Sequence, residues 1–130
     1  MPTPTFLRRA LLADAAVSGA AGVLMAAGAG ALQEMLGVPA QMLRVAGLIL
    51  IPYALELILM SRRYSLPTPA VWAVIATNIA WALASVLILV TGTVHPTALG
   101  YAFILGQALA VAAFAEVQYV GLRKATRVVA

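Results

Sequence analysis

From Ala70 to Val90 the chain reads AVWAVIATNIAWALASVLILV, twenty-one residues without a charge. A helix rises 1.5 Å per residue and the hydrocarbon core of a bilayer is ~30 Å thick, so ~20 such residues cross it. Three comparable stretches accompany this one. Backbone groups in hydrocarbon must satisfy one another, which restricts spanning structures to helices and closed barrels. Long apolar runs without alternation select the helix. The expected fold class is therefore all-α: a four-helix transmembrane bundle.

Composition agrees with that solvent. Of 130 residues, 64% are apolar and 9% charged, against roughly 45–50% and ~25% in soluble domains. Too few charges remain for a water-facing surface, so residues 1–130 read as a single integral membrane domain. Cysteine is absent and His95 is the only histidine. Disulfides, thiol catalysis, Cys-based zinc sites and a bis-histidine haem within one chain are thereby excluded. No metal or cofactor is expected. The formal charge of +4 does not signal nucleic-acid binding, because the basic residues flank apolar segments, where they set topology and meet lipid headgroups.

Turn chemistry divides the chain into helices at about 5–36, 39–63, 69–91 and 96–123. Thr3 or Thr5 is the expected first N-cap, with Pro4 in the first turn. Gly37 suits the left-handed position after a helix, and Pro39 opens the next. The segment Ser65-Leu66-Pro67-Thr68-Pro69 cannot continue a helix; Thr68 then caps and Pro69 starts the third. Gly92 ends that helix and Pro96 opens the fourth. Pro52 predicts a kink in the second. Arg8-Arg9 followed by an apolar run imitates a secretory or twin-arginine signal, yet Asp14 interrupts the run. The segment is read as the first membrane helix.

Short connections predict an up-down-up-down order. Arg8, Arg9, Arg62, Arg63, Arg123, Lys124 and Arg127 then share one side, against Arg44 alone on the other. This bias places the N- and C-termini of the multi-pass chain in the cytoplasm. Two small-residue faces, one containing Ser18 and Gly22 and one containing Gly106 and Ala110, are candidate contacts within a homo-oligomer or larger membrane complex.

The most specific feature is a set of polar groups inside the apolar spans. Asp14, Glu56, Asn78 and Glu116 fall one per helix, and each lies on the cytoplasmic side of its span. A carboxylate facing hydrocarbon costs at least ~2.5–3.5 kcal/mol near a helix centre, so these groups are expected to converge. Arg8, Arg9, Arg62 and Arg123 are the candidate charge partners. Tyr53, three residues before Glu56, is placed to donate to it or to pack. With counter-charges the cluster is a collar that fixes helix register. With a wet cavity it is a proton- or cation-binding pocket. Gln107 lies on the opposite face of the fourth helix from Glu116 and is expected to bond locally or between copies. Glu34 and Arg44 form an expected outer pair, and His95 is a solvated loop residue.

No P-loop, dinucleotide fingerprint, nucleophile elbow or HExxH motif occurs, and no histidine is placed to activate Ser18. The expected function is that of a non-enzymatic integral membrane protein, a small structural or accessory subunit in the lipid bilayer. The alternatives are a small proton- or cation-coupled transporter using the acidic site, and a lipid or quinone-type binder with a groove at Trp81, Tyr53 and Phe114. The stretches LRRALLADAAVSGAAGVL, LGVPAQMLRVAGLILIPYALEL and AEVQYVGLRK resemble a group of small four-helix bacterial inner-membrane proteins without an assigned activity. That resemblance spans nearly the whole chain and implies a bacterial plasma membrane. Small multidrug-resistance exporters share the length and a helix-1 acid, but in another context than Ala13-Asp14-Ala15. DoxX-like proteins share only the architecture.

Overall fold

A computed structural model describes residues 3–129, with side chains through Ala125. The described residues form five helices and no strand: α1 (Thr5–Ala27), α2 (Ala29–Leu36), α3 (Ala40–Ser61), α4 (Thr68–Val90) and α5 (Ala98–Val129). Four of them, α1, α3, α4 and the Ala98–Ala125 part of α5, are long and apolar enough to cross a membrane. Their outward faces carry large apolar side chains: Leu109 is 72% exposed, Leu59 64% and Leu83 61%. In water such a surface aggregates; in a bilayer it is solvated. The chain is a membrane protein built as a helical bundle.

The expected first helix is divided. Gly28 has φ −101° and ψ 15°, outside helical values, and separates α1 from α2. The hydrogen bonds Gly28 N to Leu24 O and Leu32 N to Gly28 O bridge the break, so the path bends without opening. Gly37 adopts φ 69° as expected, a conformation costly for any residue with a Cβ. Gln33 Oε1 accepts the Ala40 N–H at 2.6 Å and closes this turn. Two expected caps are corrected. Pro4 occupies the first N-cap position, while Thr3 Oγ1 donates to the Arg63 carbonyl. Pro67 precedes α4, which begins at Thr68. At α5, which starts at Ala98, Thr97 is the cap: its Oγ1 accepts the Gly100 N–H at 3.1 Å. Pro52 lies within α3 without ending it.

Helix α1 packs along α3 and against α5, and α5 packs along α4. The α1–α3 approach is close because glycines face each other: a Cβ on Gly47 would lie 2.6 Å from both Ala26 N and Gly22 O. The Ser18–Gly22 face is thus used within the chain, which corrects its assignment to contacts between copies. Gly106 is open, with nothing within 4 Å of an added Cβ. Among the described residues no Cα of α3 comes within 8 Å of one in α4, leaving a cleft between them. Backbone bonds tie the ends of the bundle: Thr3 N to Tyr64 O at one, Thr97 N to Leu36 O at the other.

Candidate functional site

Two apolar clusters fill the bundle, one around Leu11, Leu57 and Val71 and one around Met25, Leu43 and Ile104. A polar layer lies between them. Asp14 is nine residues from the start of α1 and Asn78 ten from the start of α4, or ~14–15 Å into helices ~34 Å long. Both are at middle depth and both are buried.

Asp14 is the centre of this layer and is 0% exposed. Its Oδ1 accepts from Ser18 Oγ at 2.9 Å. Its Oδ2 accepts from Asn78 Nδ2 at 2.8 Å and Gln118 Nε2 at 2.7 Å. Asn78 Nδ2 also donates to Gln118 Oε1 at 3.0 Å, and Tyr53 OH donates to Asn78 Oδ1 at 3.2 Å. Four spanning helices each contribute at least one member. The carboxylate receives three hydrogen bonds, all from neutral groups, so dipoles do here what a counter-cation was expected to do.

The structure therefore brings together Asp14, Asn78 and Tyr53 from the expected set. It adds Ser18 as a donor and Gln118, which sequence reasoning missed. It does not bring Glu56 or Glu116 to the centre: both are exposed, and among the described residues neither forms an ion pair. Glu116 is two residues from Gln118, about 200° around the helix at 100° per residue, so burying one turns the other outward. Tyr53 gives its hydrogen to Asn78 instead of Glu56. The next turn of α3 buries Leu57, at 1% exposure.

The expected charge partners are also elsewhere. Arg8 and Arg9 are six and five residues from Asp14, well around the helix from it. Arg8 Nη2 donates to the Arg63 carbonyl at 3.4 Å. Arg62 is exposed, and Arg123 lies over the Tyr119 ring, 5.7 Å from its centroid. Tyr119 in turn packs on Trp72. Lys124 covers the Phe6 ring at 4.4 Å. The side chain of Arg127 lies outside the described residues. At the other end Glu34 and Arg44 are both exposed and do not pair.

A second polar group occupies the α4–α5 interface. Gln107 Oε1 accepts from Trp81 Nε1 at 3.0 Å, and Gln107 Nε2 donates to Ser85 Oγ at 3.4 Å. Gln107 thus bonds across helices within the chain, which corrects the expectation of a local or intermolecular bond. These three residues line a cavity of about 220 Å³ together with Met25, Met42 and Phe103. This exceeds the ~150 Å³ of an apolar cavity that admits a benzene-sized guest. Phe103, instead of Phe114, is the α5 aromatic in its wall. Comparison with protein-family models, with curated proteins and with solved structures finds no match.

Proposed function

We propose that this chain is a non-enzymatic, multi-pass protein of the plasma membrane, a small structural or accessory subunit whose buried polar layer serves assembly. Its four spans run up-down-up-down with both termini in the cytoplasm. The observation that carries the reading is the closure of the Asp14 network. Every oxygen of that carboxylate is met by a side chain of the same chain. An ion or proton path needs a hydrated space at the carboxylate. The opening of about 40 Å³ in this layer, lined by Ser18, Tyr53, Thr77 and Asn78 with Ile49, Leu50, Trp81 and Val111, has room for a few waters and not for a continuous hydrated path. A fully bonded buried network fixes which helix faces meet.

Asp14→Asn tests the reading. The new amide keeps an oxygen toward Asn78 and Gln118 and turns its NH₂ toward Ser18 Oγ, which can accept. The fold is expected to survive, with stability within about 1 kcal/mol of the parent, the net worth of one such bond. In proteoliposomes the parent should add no proton or monovalent-cation flux, and the variant should not change that. A parental flux that Asp14→Asn abolishes would replace this reading with coupled transport.

Orientation has a direct assay, because the chain contains no cysteine. Thr93→Cys in the α4–α5 loop should react with a membrane-impermeant maleimide added outside intact cells. Ser65→Cys in the α3–α4 loop should react only after permeabilisation. The reverse pattern would invert the topology.

A further inference from the structure

The α3–α4 cleft holds a row of spaces whose linings overlap. Near the Arg62 end, a space of about 160 Å³ is lined by Glu56, Met60 and Ala70. It shares Tyr53 and Thr77 with the narrow opening of about 40 Å³ at the polar layer. That opening shares Ile49 and Trp81 with an open groove of about 520 Å³. The groove shares Met42, Ala46 and Trp81 with the cavity of about 220 Å³. Together their linings extend along the helix axes from Met60 to Phe103. At about 40 Å³ the middle space is far too small for another helix, which is ~10 Å across, while the open groove beside it has room for a single hydrocarbon chain.

Charge singles out the headgroup. Glu56 is exposed on the cleft, five residues before the end of α3, or ~7.5 Å inside it. Its neighbours in the cleft have already committed their hydrogens: Tyr53 OH to Asn78 Oδ1 and Thr77 Oγ1 to the Ala73 carbonyl. The carboxylate therefore faces the bilayer without a counter-charge from the described residues, a position that favours a cationic ligand group. From Glu56 to Ala46 the cleft runs ten residues, ~15 Å, which is the depth of one leaflet.

We propose that the α3–α4 cleft binds one membrane phospholipid with a primary ammonium headgroup. Its ammonium pairs with Glu56, and one hydrocarbon chain lies along the groove past Trp81. The occupant enters sideways from the leaflet, so no opening to water is required.

Trp81 is the reporter. The chain has two tryptophans, and Trp72→Phe, on the outward face, leaves Trp81 alone. This variant is reconstituted in phosphatidylcholine vesicles containing equal mole fractions of either brominated phosphatidylethanolamine or brominated phosphatidylglycerol. The ethanolamine lipid should bind about three- to fivefold more strongly by Trp81 quenching, the share of one partly solvated ion pair. Glu56→Gln should erase the preference and Glu56→Asp should keep part of it, with far-UV circular dichroism unchanged in both. Ala46→Phe, which fills the groove, should reduce quenching by both lipids. Equal quenching by the two lipids, a preference that survives Glu56→Gln, or disulfide cross-linking between copies through Thr77→Cys would overturn the proposal. The last result would make a second copy the occupant. None of these outcomes depends on whether the Asp14 network serves assembly.

Discussion

Replacing Asn78 with leucine is expected to destabilise the bundle by about 2–4 kcal/mol, summing bonds worth ~0.6–1.7 kcal/mol each between membrane helices and the penalty for polar atoms left unpaired. Leucine keeps the branched outline but is larger, so part of the loss at this buried site is overpacking. The change removes the donor to Asp14 Oδ2, the donor to Gln118 Oε1 and the acceptor for Tyr53 OH. Gln118 remains the single donor on Asp14 Oδ2, and the Tyr53 hydroxyl loses its acceptor on Asn78. Asn78 is also the only member of the network contributed by α4. Its loss leaves α4 held to α1 and α3 by the apolar packing of Val71, Val74 and Ile75. Thr77→Val on the adjacent position is the control. Thr77 bonds the Ala73 carbonyl within its own helix, and its replacement should cost less than about 0.5 kcal/mol. Reversible unfolding in mixed micelles, followed by circular dichroism, distinguishes the two. A loss below about 1 kcal/mol for Asn78→Leu, the net worth of a single bond, would mean that the polar layer does not hold the helices together.

The spans and their turns are legible in the sequence because hydrocarbon imposes a strict length and because glycine and proline punctuate the gaps. Gly37 in the left-handed region shows that local chemistry acting as expected. The break at Gly28 is not legible, since its hydrogen bonds nearly continue the helix. Asp14 and Asn78 stand out as single polar residues in apolar runs, and the structure buries both. Glu56, Glu116 and Gln118 show why the rest of the set was misplaced. In water an apolar stripe marks the buried face of a helix. In a bilayer both faces are apolar, so the rotation of each helix is hidden. Charge is then a poor guide to the interior. The neutral amide of Gln118 goes inside, where it can be fully bonded, while Glu116, two residues away, goes outside. The same ambiguity concealed the Trp81–Gln107 bond, which joins residues from different helices with no shared pattern.

A methyl group added at Gly47 should separate α1 from α3 and cost about 2–3 kcal/mol, the upper range for overpacking a tight contact. The added carbon would meet Ala26 N and Gly22 O at 2.6 Å. Both are backbone atoms, so no side-chain rotation relieves the clash and the helices themselves must move. Gly22→Ala should be milder. Its nearest contacts are the Leu50 Cβ at 3.0 Å and the Gly47 carbonyl at 3.1 Å, and a few tenths of an ångström suffice. Separation at Gly47 propagates inward, because α1 carries Asp14 and α3 carries Tyr53, and both are hydrogen-bonded to Asn78. Gly47→Ala combined with Asn78→Leu should therefore cost less than the sum of the single changes, as expected for coupled sites. Gly106→Ala provides the opposite case. An added carbon there touches nothing within 4 Å, and alanine favours the helix by up to ~1 kcal/mol, so the monomer should be unchanged or more stable. A Gly106→Ala variant that stays folded yet dissociates from a larger assembly would locate a helix contact on that open face. A small-residue motif thus has two opposite mutational signatures, and the packing around each glycine decides which one applies.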